Sequence, residues 1–189
     1  MPPKIKVTKE NIISTAIELV RERGEDALNA RTIASALNIS TQPVFYNFKN
    51  MDELREAVLE SAHKSYLGFH EAEVERGEYP PYKSFGMAYI NFAKEERELF
   101  KLLFMCDRKG ESAAPTSDFT TSVQMIMSAN GISREKAELM HTEMWTCVHG
   151  IAAMSATSFL NIESSLISDM LTDVYQGLRA RHAKEEGSK

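Results

Sequence analysis

The chain has 189 residues, 43% hydrophobic and 26% charged, with six Pro, nine Gly, two Cys and a formal charge of −5. That composition belongs to a globular, helix-leaning chain with room for a small head and a larger body, and it excludes a disordered or fibrous protein and one coated in positive charge. No run of about eighteen apolar residues occurs, and the leading Met-Pro-Pro-Lys-Ile-Lys has no apolar stretch, so the expectation is a cytoplasmic protein with no membrane partner.

From Thr8 to Arg23 apolar residues recur at three- and four-residue spacing (Ile12, Ile13, Ala16, Ile17, Leu19, Val20), with Thr8 as N-cap and Gly24 as the stop. Asn29 then caps a two-turn helix, Ala30 to Leu37, too short to stand alone. Asn38 tolerates the left-handed backbone that ends a helix, Ile39 plugs the core, and Ser40 is placed to cap the next helix. That third helix is expected from Thr41, with Pro43 in its first turn, where a missing amide hydrogen leaves no intrahelical bond unmade. Val44, Phe45 and Phe48 face its core. Asn50 caps a long fourth helix from Met51 to about Glu75, ended by Gly77 and Pro80-Pro81.

Further helices are expected over Tyr82 to Ala93, Arg97 to Cys106 and Ser117 to Ala129, with a loop from Asp107 to Pro115. A long helix opens at Ser133, and a last one, beginning after Asn161 or Ile162, reaches about Arg181 ahead of a frayed tail from Lys184 to Lys189. No strand pattern or internal repeat is visible, so the fold class is all-α. The expected organisation is a three-helix head over 1–50, a connecting helix over 51–79, and a helical body over 80–189.

Three short helices with a capped turn between the second and third form the arrangement in which the third helix enters the major groove of double-stranded DNA. A plain three-helix bundle has no need for the polar set Thr41, Gln42, Tyr46, Asn47 and Lys49 on an exposed two-turn helix. The amides of Gln42 and Asn47 suit base edges or phosphates, the hydroxyls of Thr41 and Tyr46 suit phosphate or sugar, and Lys49 suits phosphate. Arg31, at the start of the second helix, can grip a phosphate together with the helix N-terminus, and Lys4 and Lys6 can reach a neighbouring groove.

In the body, Phe85, Tyr89, Phe92, Phe104, Met125, His141, Met144, Trp145 and His149 are the candidate pocket residues, because apolar walls with a few polar tips make small-molecule pockets. His141, Trp145 and His149 recur every four residues on one helix face. A solid core of the same residues would read identically. The last two helices carry more apolar surface than one pair needs (Ile151, Met154, Phe159, Leu160, Leu166, Ile167, Met170, Leu171, Val174, Leu178), which points to a homodimer through a four-helix seam.

Catalysis finds no support. Glu138 and His141 give one Glu-x-x-His pair where a di-iron bundle needs two, and the Cys and His residues lack zinc spacing, so no enzyme, cofactor or metal is expected. Cys106 and Cys147 read as reduced core thiols. Two other readings stay open: a helical protein-protein adaptor without a DNA role, and a metal- or thiol-sensing regulator.

Gly24, Ile33-Ala34, Ala36, Asn38-Ile39-Ser40, Tyr46, Phe48 and Leu54 resemble, in order and spacing, the DNA-binding domain of TetR-family transcriptional regulators, from Thr8 to about Leu59. Asn38 stands where the family often has Gly, Met51 where it usually has Lys, and Pro43 where a small residue is usual, so the base preference of the third helix is this chain's own. Ala88 to Ala93, Glu98 to Phe104 and Trp145-Thr146-Cys147-Val148-His149-Gly150 resemble the C-terminal domain of the subgroup carrying a Trp and a His-Gly pair. The resemblance implies a body that binds a small molecule and pairs two subunits through its last two helices, and the expectation is a ligand-responsive, homodimeric repressor of a near-palindromic operator.

Overall fold

The computed structural model describes residues 7–106 and 117–186, all of their regular structure helical. The expected loop from Asp107 to Pro115, and Lys4 and Lys6, lie outside these residues. Along the chain run α1 (Lys9–Arg23), a 3₁₀ turn (Glu25–Ala27), α2 (Ala30–Ala36), α3 (Gln42–Asn47), α4 (Met51–Arg76), α5 (Pro81–Glu95), α6 (Arg97–Phe104), α7 (Ser117–Asn130), α8 (Arg134–Ala156) and α9 (Ser164–Glu186). The helix of α9 continues past the Lys184 at which the sequence suggested a frayed tail.

Local chemistry explains most helix ends. Thr8 and Asn11 form a reciprocal capping box at α1, Asn29 accepts from the Thr32 amide at α2, Asn50 from Glu53 at α4 and Ser133 from Lys136 at α8. Each cap satisfies an amide that the first turn leaves without a partner, stabilising its helix by about 1 kcal/mol. Gly24 ends α1 at φ 75°, and a Cβ there would stand 3.0 Å from the Glu98 carboxylate, so both backbone and space call for glycine.

The chain packs as two compact units: 1–68 with 95–106, and 69–94 with 107–189. This divides the molecule differently from the expected 1–50, 51–79 and 80–189. Helix α4 is shared between the units, and α6 belongs with the head. The chain therefore passes between the units three times.

In the first unit Ile12, Ala16 and Val20 of α1, Ile33 of α2, Val44 and Phe48 of the α3 region, Leu54 and Val58 of α4, and Leu99, Phe100 and Leu102 of α6 are buried. Helices α1 and α6 pack together. Arg21 of α1 closes that junction with a two-pronged bond to Glu96 just before α6, at 2.9 and 2.8 Å, and a third bond to Glu18 at 2.6 Å. The Glu96 bond is the main reason the Arg21 guanidinium holds its proton more tightly than usual.

In the second unit Met87, Ile90, Phe92 and Ala93 of α5, Val123 and Ile126 of α7, Ala137, Met140, Val148 and Ile151 of α8, and Ile167 and Leu171 of α9 are buried. Gly86 lets α5 approach its neighbours closely: a Cβ there would meet Val148 at 3.3 Å and Leu171 at 3.4 Å. Lys83 ties α5 to α9 by donating to Ser168 at 2.7 Å and Thr172 at 2.8 Å.

Candidate functional site

The turn between α2 and α3 is specified by its backbone bonds. Asn38 sits at φ 57°, the Ile39 amide donates to Ala34 O at 2.9 Å and the Asn38 amide to Ser35 O at 3.1 Å. That pair of bonds is a Schellman motif with Asn in the left-handed position, which seals the end of α2 and turns the chain. Ser40 does not cap α3; Thr41 occupies the N-cap in a helical conformation and its side chain makes no cap bond. Pro43 sets the first turn.

Helix α3 is anchored from beneath by Val44 and by Phe48, which closes it in extended conformation. Its opposite side presents Gln42, Phe45 and Tyr46, with Tyr46 77% exposed. Phe45, expected in the core, points to solvent instead, since a helix of six residues has one inward stripe and Val44 and Phe48 fill it. Gln42 Nε2 donates to the Tyr46 hydroxyl at 2.6 Å. Asn47 turns inward: its amide donates to Pro43 O at 2.8 Å and Val7 O at 3.4 Å, bracing α3 against the segment before α1. Lys49 lies beyond the helix, its backbone amide bonded to Glu53 at 2.7 Å while Glu53 also pairs with Lys9 at 3.0 Å. Arg31 is exposed in the first turn of α2 and forms no ion pair among the described residues. Thr41, Gln42, Pro43, Tyr46 and Lys49 thus gather around one short helix with Arg31 on the helix before it.

The body's candidates separate. Phe104 lies in the first unit, edge-on to Tyr66 at 5.3 Å, and so is not part of the second unit's group. Within the second unit Tyr89, Phe92 and Met144 are buried and Phe85 packs against His70 at 4.7 Å. Met125 lines a shallow groove along α7 with Thr121 and Gln124. Two tyrosine-histidine pairs join α5 to α8: Tyr82 with His141 Nδ1 and Tyr89 with His149 Nδ1, each at 2.9 Å. Burial lowers the pKa of both histidines, favouring neutral rings, and raises that of Tyr82, keeping its phenol protonated. Trp145 is half-exposed and stacks on His149 at 5.2 Å with 18° between the planes.

Tyr82, Phe119 and Tyr175 complete the His141 cluster, and sequence reading missed all three as site residues. The signal was available: Tyr82 and Tyr89 lie two turns apart on α5 as His141 and His149 do on α8. Among the described residues no group of three or more His, Cys, Asp or Glu is placed to hold a metal ion. Both cysteines are half-buried and unbridged, and burial pushes the Cys147 thiol up.

Residues 12–58 match the profile of bacterial regulatory proteins of the tetR family, and residues 82–175 match that of the tetracyclin repressor-like C-terminal domain. The chain belongs to the TetR family. The first match spans α2 and α3, the helix-turn-helix, and the second runs from α5 into α9.

An uncharacterized HTH-type transcriptional regulator, YvkB of Bacillus subtilis (strain 168), is 28% identical over 100 residues, which is 53% of this chain and 52% of YvkB; the match spans about half of that relative. The fold agrees with that of TetR-family structures. A TetR-like regulator from Rhodococcus sp. RHA1 superposes with TM-score 0.67 at 14% identity, covering 93% of this chain and 96% of that one. A TetR-family member from Streptomyces coelicolor A3 gives 0.62 at 16% identity over 90% and 98%. The multidrug binding protein EbrR, complexed with imidazole, gives 0.61 at 16% over 88% and 93%.

Among the described residues no helix is long and apolar enough to cross a membrane.

Proposed function

We propose that this TetR-family chain is a homodimeric repressor of a near-palindromic operator, released when a small apolar or aromatic molecule binds the second unit. The observation that carries the DNA reading is the exposed face of α3, where Gln42 and Tyr46 stand out from a helix pinned by buried Val44 and Phe48. One such helix reads only a few base pairs, whereas two held about 34 Å apart read successive major grooves.

Support for the dimer comes from the outer side of α8. Leu139, Thr142, Thr146, Gly150, Ala153 and Thr157 form a stripe without a charge, and Leu139 is half-exposed. The hydroxyls of Thr142, Thr146 and Thr157 bond to the backbone four residues earlier, at 2.8 Å each, so their hydrogen-bond donors are used within the helix. Exposed Leu166 on α9, and Met170 and Val174 at four-residue steps beyond it, extend the apolar surface, which a second copy would cover in a four-helix seam.

Support for an apolar or aromatic effector comes from the rings around His141 and His149, whose neutral imidazoles put hydrogen-bonding atoms into aromatic surroundings. The same Trp145, His149 and Gly150 run supports the Trp and His-Gly subgroup reading. A charged cleft bordered by Arg21 to Gly24 and Glu95 to Glu98 in the first unit suits such a molecule poorly. Release requires the effector to favour one of two conformations, because equal affinity for both shifts nothing. The three chain crossings between the units are the covalent routes for that shift.

The reading is tested by salt-dependent binding to the DNA flanking the protein's own coding region. Wild type binds specifically at moderate salt and Gln42→Ala with Tyr46→Ala does not; equal binding of both proteins to that DNA and to random DNA contradicts it.

A further inference from the structure

Gln42 and Tyr46 are exposed, stand one turn apart on α3, and are joined at 2.6 Å in a bond that no surrounding packing enforces. Holding a surface glutamine in one rotamer costs conformational entropy and adds nothing to a core. The backbone beneath is unusually fixed: Pro43 sets the first turn, Asn47 bonds back to Pro43 O, and Val44 and Phe48 are buried. This surface bond therefore restrains an amide on a rigid platform.

We propose that Tyr46 is a positioning residue which aims the Gln42 amide at one base, and that this base is adenine; the inference rests on α3 being the DNA-reading helix. With one Nε2 hydrogen given to the phenolic oxygen, Gln42 keeps one N–H and its carbonyl. In the major groove adenine offers the N7 acceptor and the N6 amino donor, so the amide N–H goes to N7 and the carbonyl accepts from N6. Guanine offers two acceptors, N7 and O6, and would set its O6 against the glutamine carbonyl. The phenol, whose oxygen accepts from Gln42, keeps its own proton to donate to a phosphate, a contact blind to sequence. Tyr46 thereby acts twice: once on affinity for any DNA, once on the choice of base.

The experiment enriches bound sequences from a random duplex library of about 30 base pairs, long enough for two half-sites one turn apart. It then measures the Kd of wild type, Gln42→Ala and Tyr46→Phe on the enriched duplex and its single-pair variants, with a thermal melt of each protein as the folding control. Wild type is expected to prefer A·T over G·C by about tenfold or more at one symmetric pair of positions, with Gln42→Ala losing that preference there alone. Tyr46→Phe is expected to weaken every duplex and also to shrink the A·T preference, a change in ratio that loss of a phosphate contact cannot produce. Replacing that adenine by 7-deazaadenine should weaken wild type and leave Gln42→Ala unaffected. A Tyr46→Phe protein with the full preference, or a Gln42→Ala protein with every preference intact, overturns the assignment while leaving DNA binding in place. Failure of wild type to enrich any sequence overturns the DNA-reading assignment of α3 itself.

Discussion

Asn38 turns the chain out of α2 at φ 57°, and Asn47 braces α3 by donating to Pro43 O and Val7 O. The left-handed turn at Asn38 was legible because its cause is local: a side chain that tolerates positive φ, following a helix with no other stop. Asn47 was not, because its amide is used by Pro43 O within the helix and by Val7 O forty residues away in sequence, and only the fold brings Val7 there. Phe45 and Phe48 look alike in sequence, yet one is exposed and the other buried, since which side of so short a helix faces inward depends on neighbours. A pH effect also belongs to single residues. Burial depresses the pKa of His141 and His149 below the ordinary 6.5, so below that value the unfolded chain binds more protons than the folded one. Their contribution to stability is fully present above pH 6.5 and is lost as pH falls from there through their folded-state pKa values. Melting temperature should drop from pH 7 to pH 5, with a shallower slope in His141→Gln plus His149→Gln; an equal slope in both proteins counts against this assignment.

Among the elements, α6 differs most from expectation. Its Leu99, Phe100, Leu102 pattern announces a buried amphipathic helix but cannot say which partner buries it, and sequence adjacency placed it with the body. The structure packs it on α1, where Glu96 meets Arg21 in a geometry that links residues 75 positions apart. Both side chains are partly buried, 33% and 20% exposed, so the pair is screened less than a surface bridge but still sees water. Arg21→Ala should therefore cost on the order of 1 kcal/mol in urea unfolding, and in the proposed repressor it should blunt the response to an effector more than it weakens operator binding. An unchanged unfolding midpoint together with an unchanged response would remove α1 and α6 from the coupling route. The caps of α1, α2, α4 and α8 were readable for the opposite reason, each being a bond across three residues.

For the whole molecule, the proposed operator reading requires two DNA-reading heads that act together. The uncharged outer stripe of α8, with its inward-bonded threonine hydroxyls, is the kind of surface a monomer has no reason to expose and a dimer does. Thr146→Glu puts a carboxylate on that stripe, and light scattering coupled to size exclusion should then show a monomer where wild type is a dimer. A wild-type monomer at micromolar concentration would remove the dimer, and a dimeric Thr146→Glu protein would move its seam elsewhere. The candidate pocket residues do not form one cluster: Phe104 lies in the other unit, while Tyr82, Phe119 and Tyr175 join His141 through packing that no spacing along the chain specifies.

A dimeric, two-headed operator reader is tested best by hydroxyl-radical footprinting of the tightest-binding fragment from the flanking DNA. Two protected patches are expected on each strand, related by a dyad and separated by about one helical turn of 10 base pairs, both lost with Gln42→Ala plus Tyr46→Ala. A single asymmetric patch, or protection that survives the double substitution, would contradict it.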